Sequence, residues 1–536
     1  MEAHRSGSIS GKAPGIPTAE QCRRRPLSLV ACLTALWVLS PAPTFAQVGP
    51  MAADDDGPRG QPTPDGCRLP LPGGADRDSG LSEQHLRSMR GRPYLLTPSI
   101  TLRQTYSDNI TLASDNTESD FVTQLLPALT FCRVGPRLRT QVDYEGLVLR
   151  YWEDSDRDDI IHRLNADTTT TVIRDRLFLD AGASFDQQPI SSRGAFSDDR
   201  ALVTGNVTDA LNLRVSPYLI QDLGPVGTSV TRYSFNRTTY ETGRPDDTRH
   251  GGSFVVTSPI AAEPALWRAS IRSERVERTR VGFDDVRYFD DAHLDLGYLL
   301  TGRLTLLGRT GVETETLRDG SQDRFGSSYW NAGFRWQGDR TSIEARYGRR
   351  FFGDTYLAAV TRRAANLTLR LNYEETQTMS DRFVLRDDLF LVDIDPETDG
   401  VELIPFVDIF GEVIVRKRGT ASATYVTHRS TVRLAAFHER REFLILEERD
   451  ERYGVNAYWR WQWLPRTALI PRITWERVEW RDERNDNIYG GQISVAHLLS
   501  PKMQAGASVR RQLRISNERD AEFTENALVL ELTRIF

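Results

Sequence analysis

The sequence predicts an all-β protein formed by a single transmembrane antiparallel up-and-down β-barrel, and three observations lead to this fold. Apolar and polar side chains alternate along most of the chain from Pro98 to Phe536. After Ala46, no stretch approaches the roughly 18 consecutive apolar residues of a membrane-spanning helix. Short turns alternate with longer polar loops, which is the asymmetry of outer-membrane barrels. This alternation predicts about 16 strands, and a number between about 14 and 18 is compatible with it.

The N-terminal residues predict a secretory signal peptide over residues 1–46. Arg23, Arg24 and Arg25 precede the apolar run from Leu27 to Leu39, and Thr44-Phe45-Ala46 offers small residues for cleavage after Ala46. An amphipathic or core helix is the alternative. Cleavage would deliver the rest of the chain, residues 47–536, to the cell envelope.

Residues 47–97 predict a disordered periplasmic arm, because they are rich in Pro, Gly and Asp and too poor in apolar surface to offset the ordering entropy. The arm contains Cys67, and the only other cysteine after residue 46 is Cys132. In an oxidising compartment this pair can form a disulfide or remain as two buried thiols, and the sequence leaves both open.

Residues 98–536 predict the barrel, because their alternating segments reach about ten residues, which is the length of a tilted membrane-spanning strand. Ala292, Leu294, Leu296, Tyr298 and Leu300, for example, alternate with His293, Asp295 and Gly297. Connections such as residues 186–199 and 243–250 are predicted as long external loops. Residues 377–411 are too apolar for a plain loop, and we expect an external hairpin or an element folded into the lumen.

The segment AYWRWQWL places three indoles on one side of a strand. Trp459, Trp461 and Trp463 alternate with Arg460 and Gln462, so the indoles share one face and the polar side chains share the other. An indole at a membrane interface buries its ring and keeps its N–H in water. A soluble core strand is the alternative. The aromatic residues predicted to meet the membrane are Trp330, Trp336, Trp459, Trp461, Trp463 and Trp475, and Trp480 is predicted to join them.

The chain ends in ALVLELTRIF, an alternating strand closed by Phe536. A terminal aromatic residue in this setting resembles the signal by which the barrel-assembly machinery recognises its clients. Arg534 departs from that pattern, because an apolar residue or Tyr is more usual at its position. The alternative is the last strand of a soluble sandwich.

Charged residues fall on the faces that the alternation assigns to the lumen. They can pair into a network that closes the lumen or line a selective pore, and we favour pairing because desolvated Arg and acidic side chains tend to find one another. The predicted lumen charges are Arg335, Glu344, Arg346, Arg370, Arg460 and Arg510.

The sequence predicts no catalytic residue, no metal site and no cofactor. Its histidines are scattered without HExxH or Cys-His ligand spacing, and no GxSxG motif is present. The formal net charge of -6 and the absence of a clustered basic segment give no indication of nucleic-acid binding.

Residues 98–131 resemble the opening of a family of outer-membrane proteins associated with PEP-CTERM and exosortase systems and their exopolysaccharide loci. The matching pieces are Tyr106-Ser107-Asp108-Asn109-Ile110, Ser119-Asp120-Phe121 and Leu126-Pro127. The resemblance implies a β-barrel of the outer membrane that is linked to envelope polysaccharide. It carries over no active site.

Three functions are therefore open. The leading hypothesis is a non-enzymatic outer-membrane barrel that passes, or supports the export of, exopolysaccharide or another envelope component. The second is a sealed structural or adhesion barrel whose long loops bind surface polymer, and the third is a lipid- or polymer-modifying enzyme. The expected partners are outer-membrane lipid, the barrel-assembly machinery and polysaccharide.

Overall fold

A computed structural model describes residues 94–197, 199–280, 283–317, 324–379, 413–443 and 448–536. The predicted signal peptide, nearly all of the predicted arm and residues 380–412 lie outside these ranges. Within the described residues, the structure consists of strands and four short 3-10 helices.

The described residues form 22 strands, β1 to β22. The first eleven are β1 (Tyr94–Ser107), β2 (Asp120–Val134), β3 (Leu138–Tyr151), β4 (Asp159–Ile173), β5 (Leu177–Pro189), β6 (Val207–Asp222), β7 (Thr228–Tyr240), β8 (Asp246–Thr257), β9 (Ala265–Arg280), β10 (Phe283–Thr301) and β11 (Leu304–Leu317). The remainder are β12 (Arg324–Gln337), β13 (Thr341–Arg350), β14 (Gly353–Arg363), β15 (Leu367–Met379), β16 (Val413–Val426), β17 (Ser430–Phe443), β18 (Arg449–Leu464), β19 (Thr467–Glu479), β20 (Asn485–Ser500), β21 (Met503–Ser516) and β22 (Phe523–Ile535). The described 3-10 helices are Ser155–Arg157, Gly224–Val226, Ile260–Ala262 and Arg519–Ala521.

The sheet closes on itself. Each strand pairs antiparallel with the next along the chain, and β1 pairs with β22 from Ser99↔Ile535 to Ser107↔Ala527. Closure leaves no strand edge unpaired, which is how an all-β sheet satisfies its backbone in any solvent. The predicted up-and-down barrel is therefore confirmed.

The predicted number of about 16 strands is wrong, because the barrel has 22. Strands of up to 19 residues continue past the apolar band that the alternation reveals, and their polar ends resemble loops in the sequence. Residues 243–250, predicted as a loop, lie largely in β8, which begins at Asp246. Residues 201–264, where apolar and polar residues alternate less regularly in the sequence, contain β6, β7 and β8.

The two ends of the barrel differ. The β2–β3, β12–β13 and β18–β19 connections are short and lie at the same end as Tyr94 and Ile535, which we call the turn end. The longer connections after β1, β3, β5 and β21 lie at the opposite end, which we call the loop end. This asymmetry agrees with the sequence prediction.

Candidate functional site

The two faces of the barrel wall have opposite chemistry. On β22, Leu528, Leu530 and Leu532 point outward and are 45%, 51% and 37% exposed. Glu525 and Thr533 point inward and are buried. The same alternation holds across β1 and β2, where apolar residues cover the outside. The interior is therefore the place where polar side chains of many strands meet.

The indoles of AYWRWQWL share the outer face, as predicted. The Trp459 and Trp461 ring centroids are 5.7 Å apart, those of Trp461 and Trp463 are 6.4 Å apart, and both pairs are stacked. Trp459 Nε1 donates to Ser430 Oγ at 2.9 Å on the neighbouring strand. The stack lies near the turn end of the barrel, in the last part of β18.

The other tryptophans divide into two groups. Trp330, Trp336 and Trp475 lie on the outer face of β12 and β19, in register with other outward residues. Trp480 does not join them: it is 7% exposed, packs on Val478, and donates from Nε1 to Asp486 Oδ2 at 2.8 Å. The prediction for Trp480 is wrong because the residue continues the inward alternation of Glu476 and Val478, on the face opposite to Trp475.

The C-terminal Phe536 lies on the outer surface at the turn end. Its backbone N–H donates to Pro98 O at 3.0 Å, and its ring is half exposed. The Arg534 guanidinium lies 4.9 Å from the ring centroid. The residue that departs from the usual terminal pattern thus covers the terminal ring.

The predicted lumen charges all lie on inward register positions, and several pair. Glu344 accepts from Arg335 Nη2 at 2.6 Å and from Arg346 Nε at 2.7 Å. Arg510 donates to Glu525 Oε1 at 2.8 Å. Arg370 and Arg460 face the lumen opposite Ser422 and Thr431.

Further ion pairs in the lumen were not predicted from the sequence. The alternation along each strand could have assigned their residues to the inward face. Asp295 accepts from Arg309 at 2.6 and 3.1 Å. Glu439 accepts from Arg416 at 2.9 Å and from Arg441 at 2.7 Å. Such buried pairs hold a wall in one arrangement, because removing one partner leaves a buried charge uncompensated.

The connection between β5 and β6 folds into the barrel instead of projecting outward. We call it the inner loop, residues 190–206, of which all but residue 198 are described. Its Ala201 carbonyl accepts from the Tyr151 hydroxyl at 3.0 Å, and Val203 N–H donates to Ile110 O at 2.7 Å. The sequence prediction of an external loop over residues 186–199 is therefore wrong.

An apolar cluster inside the barrel receives the inner loop. Ala201 and Leu202 pack in it against side chains from the loop-end halves of β2, β3, β4 and β22. The other members are Ile110, Leu112, Val122, Leu126, Leu147, Leu149, Tyr151, Ile161 and Phe523. Part of the interior is thus a hydrophobic core, in addition to the predicted polar and charged faces of the lumen.

Polar contacts hold the inner loop on its other side. Arg193 Nη1 donates to Asp482 Oδ2 at 2.6 Å, and Asp199 Oδ2 accepts from Arg510 Nη1 at 2.9 Å. Burial alone would raise the pKa of Asp199, but the Arg510 and Arg103 guanidiniums and the Ala201 N–H lower it below its usual value. Asp199 is therefore ionised at neutral pH and ties the loop to β21.

The residues that carry the family resemblance hold the barrel seam and the inner loop. Asp108 bonds Asn526 on β22, Ser107 donates to Glu525 at 3.0 Å, and Ile110 lies in the apolar cluster. Asp120 Oδ1 accepts from the backbone N–H of Trp152 at 3.0 Å. The matching segment therefore performs a structural task where the first and last strands meet.

Cys132 is 1% exposed and is disulfide-bonded. It lies near the turn end of β2. Its predicted partner Cys67 lies outside the described residues, so the pairing remains a prediction.

Within the described ranges, no helix has the length and apolar character needed to cross a bilayer. No set of three or more His, Cys, Asp or Glu side chains in those ranges is arranged to hold a metal ion.

The barrel fold is similar to that of a known transporter. The FrpB iron transporter from Neisseria meningitidis matches with a TM-score of 0.52 and 10% identity in its F3-3 variant, over 84% of this chain and 83% of that chain. Its F5-1 variant matches with a TM-score of 0.50 and 10% identity, over 82% of each chain. At this identity the likeness shows the fold alone. No protein-family model matches the chain, and a search of curated proteins gave no match.

Proposed function

We propose that the protein is a non-enzymatic outer-membrane β-barrel that provides a route for a polar envelope component. One observation carries the proposal: a closed 22-strand barrel whose outer face is apolar and whose inner face is polar and charged. The apolar outer face suits contact with the hydrocarbon of a membrane, and the polar inner face suits contact with water. The fold likeness to FrpB supports transport as the class of function.

In the proposed orientation, the turn end faces the periplasm and the loop end faces the outside. The stacked indoles of β18 then lie at the periplasmic interface, where aromatic residues are enriched. Lipid is the proposed partner of the outer face, and the barrel-assembly machinery is the proposed partner of Phe536 during biogenesis.

The proposed cargo is exopolysaccharide or a related envelope polymer. This part of the proposal rests on the resemblance of residues 98–131 to exosortase-associated outer-membrane proteins, and the polar interior is compatible with a hydrated polymer.

Two adjacent residues test the membrane assignment. Val509 is 52% exposed on the outer face of β21, while Ser508 points into the lumen. A nitroxide attached to V509C should collide with oxygen, which concentrates in lipid, and the same label on S508C should collide with a water-soluble nickel chelate. Equal access of both labels to the chelate would overturn the assignment.

Conductance tests the transport route. Purified protein in planar bilayers should conduct ions, and replacing residues 191–205 by a short Gly-Ser linker should raise the single-channel conductance. If neither the wild-type protein nor the linker variant conducts ions, the result would contradict a pore.

The docked inner loop favours a second candidate, a sealed structural barrel. In that case neither protein conducts, although both remain folded and membrane-inserted in the nitroxide experiment.

A further inference from the structure

The seam between β1 and β22 differs from the other strand junctions of the barrel. All other neighbouring strands are consecutive along the chain, so the chain itself joins the two strands of each pair at one end. The seam joins the first strand to the last, and no such connection links them. The seam therefore depends on hydrogen bonds and side-chain contacts to stay closed.

Side chains on the lumen face of the seam pair across it. Arg103 on β1 donates from Nη2 to Glu531 Oε2 on β22 at 2.7 Å. Nearer the loop end, Ser107 on β1 donates to Glu525 on β22 at 3.0 Å. Arg510 on β21 donates to the same Glu525 at 2.8 Å. Polar contacts therefore run without interruption from β1 through β22 to β21.

The inner loop contacts one side of the seam through polar groups. Arg510 Nη1 donates to Asp199 Oδ2 at 2.9 Å, so the arginine that binds Glu525 also holds the loop. Arg514, also on β21, donates from Nη1 to the Gly194 carbonyl oxygen at 3.1 Å. These contacts attach the loop to the last strands of the barrel.

The inner loop contacts the other side of the seam within two residues of Asp199. The Ala201 carbonyl accepts from the Tyr151 hydroxyl of β3 at 3.0 Å. Ala201 and Leu202 also pack in the apolar cluster, to which β2, β3 and β4 contribute. Since Asp199 contacts β21 and Ala201 contacts β3, the loop lies across the lumen face of the seam.

We propose that the inner loop is a latch for the seam, which holds β1 to β3 and β20 to β22 together from inside the lumen. Opening of the seam would separate the two sets of groups that the loop contacts, so the loop would lose one set. Release of the loop and opening of the seam are therefore energetically coupled. The inference goes beyond the proposed function, because a conducting barrel and a sealed barrel both need a closed seam.

Hydrogen exchange of backbone amides measures the opening of the seam. In the full-length protein in detergent, replacing residues 191–205 by a short Gly-Ser linker should raise the exchange rates of β1 and β22 about tenfold or more, because several contacts across the seam are lost. The exchange rates of β11 and β12 should stay unchanged, because these strands lie on the opposite side of the barrel and do not contact the loop.

D199N and R200Q form a matched pair that keeps the loop. Asp199 binds Arg510 of β21, whereas Arg200 pairs with Asp186 of β5, the strand from which the loop starts. D199N should raise the exchange rates of β1 and β22 about fivefold, because a charge-assisted contact becomes a neutral one. R200Q should leave them at the wild-type values. This comparison decides the question if the linker variant does not fold.

An increase confined to β1 and β22 would support the latch, whether or not the protein conducts ions. Wild-type exchange rates of β1 and β22 in the linker variant would overturn it. An equal increase in β11 and β12 would also overturn it, because it would report a loss of stability of the whole barrel. Equal exchange rates in D199N and R200Q would contradict the latch in the same way.

Discussion

Asp108 and Asn526 lie 418 positions apart and share two hydrogen bonds, each 2.7 Å long. Asp108 Oδ1 accepts from the Asn526 backbone N–H, and Oδ2 accepts from the side-chain amide. The contact joins Asp108, which directly follows β1, to Asn526 in the loop-end part of β22, next to the last seam pair Ser107↔Ala527. The carboxylate of Asp108 therefore adds two side-chain contacts to the backbone pairing that closes the barrel.

D108A should destabilise the barrel by about 1.5–3 kcal/mol, because a charged acceptor with two good partners is lost. The midpoint of guanidinium unfolding, followed by the electrophoretic shift between folded and unfolded barrel, measures the change. D115A is the control: Asp115 forms only an exposed 3.8 Å pair with Arg519, and such pairs contribute about 0–1 kcal/mol. Equal midpoints for the two variants would show that Asp108 does not fasten the seam.

The inner loop should be released at acid pH. The folded-state pKa of Asp199 is lowered, so its contribution to docking is present above the unfolded value of about 3.9 and is lost as pH falls through the lower folded value. Proteolysis of the loop, with a protease active in acid, should therefore rise below about pH 4 and not between about pH 5 and 7.

D199N provides the control for that pH dependence. It removes the titrating group, so the loop should be cleaved more readily at neutral pH and the acid step should shrink. An acid step of the same size in D199N would assign it to other carboxylates.

L202D should eject the inner loop, because the carboxylate would be buried among the apolar side chains that contact Leu202. Trypsin should then cut after Arg193 or Arg200 at neutral pH, and the fragments identify the site. The adjacent V203D is the matched control, since Val203 is 39% exposed and contributes its backbone N–H to Ile110. Similar cleavage of both variants would contradict docking through Leu202.

The faces of the strands could be predicted from the sequence, whereas the inner loop could not. The alternation that places Trp459, Trp461 and Trp463 outside is local, because successive side chains of any extended strand point to opposite sides. The docking of the loop depends on Asp199 meeting Arg510, which lies 311 positions away. No local pattern around residues 190–206 distinguishes a loop that projects into solvent from one that folds inward.

The lumen charges show the same limit. The alternation along each strand is enough to assign Arg370 and Arg460 to the interior. The register between strands decides which charged residues become neighbours. Arg433 and Arg472, for example, become the register partners of Tyr458 only through the exact pairing of β17 with β18 and of β18 with β19.

The closeness of neighbouring strands gives a prediction at a single glycine. A Cβ added to Gly348 on β13 would overlap the Trp330 carbonyl oxygen and the Asn331 side chain on β12. G348A should therefore destabilise the barrel by about 1–3 kcal/mol through overpacking. Guanidinium unfolding measures the change, and G252A on β8 is the control because nothing lies within 4 Å of its added methyl group. If G348A unfolds at the wild-type midpoint, β12 and β13 are not paired in the register Asn331↔Gly348.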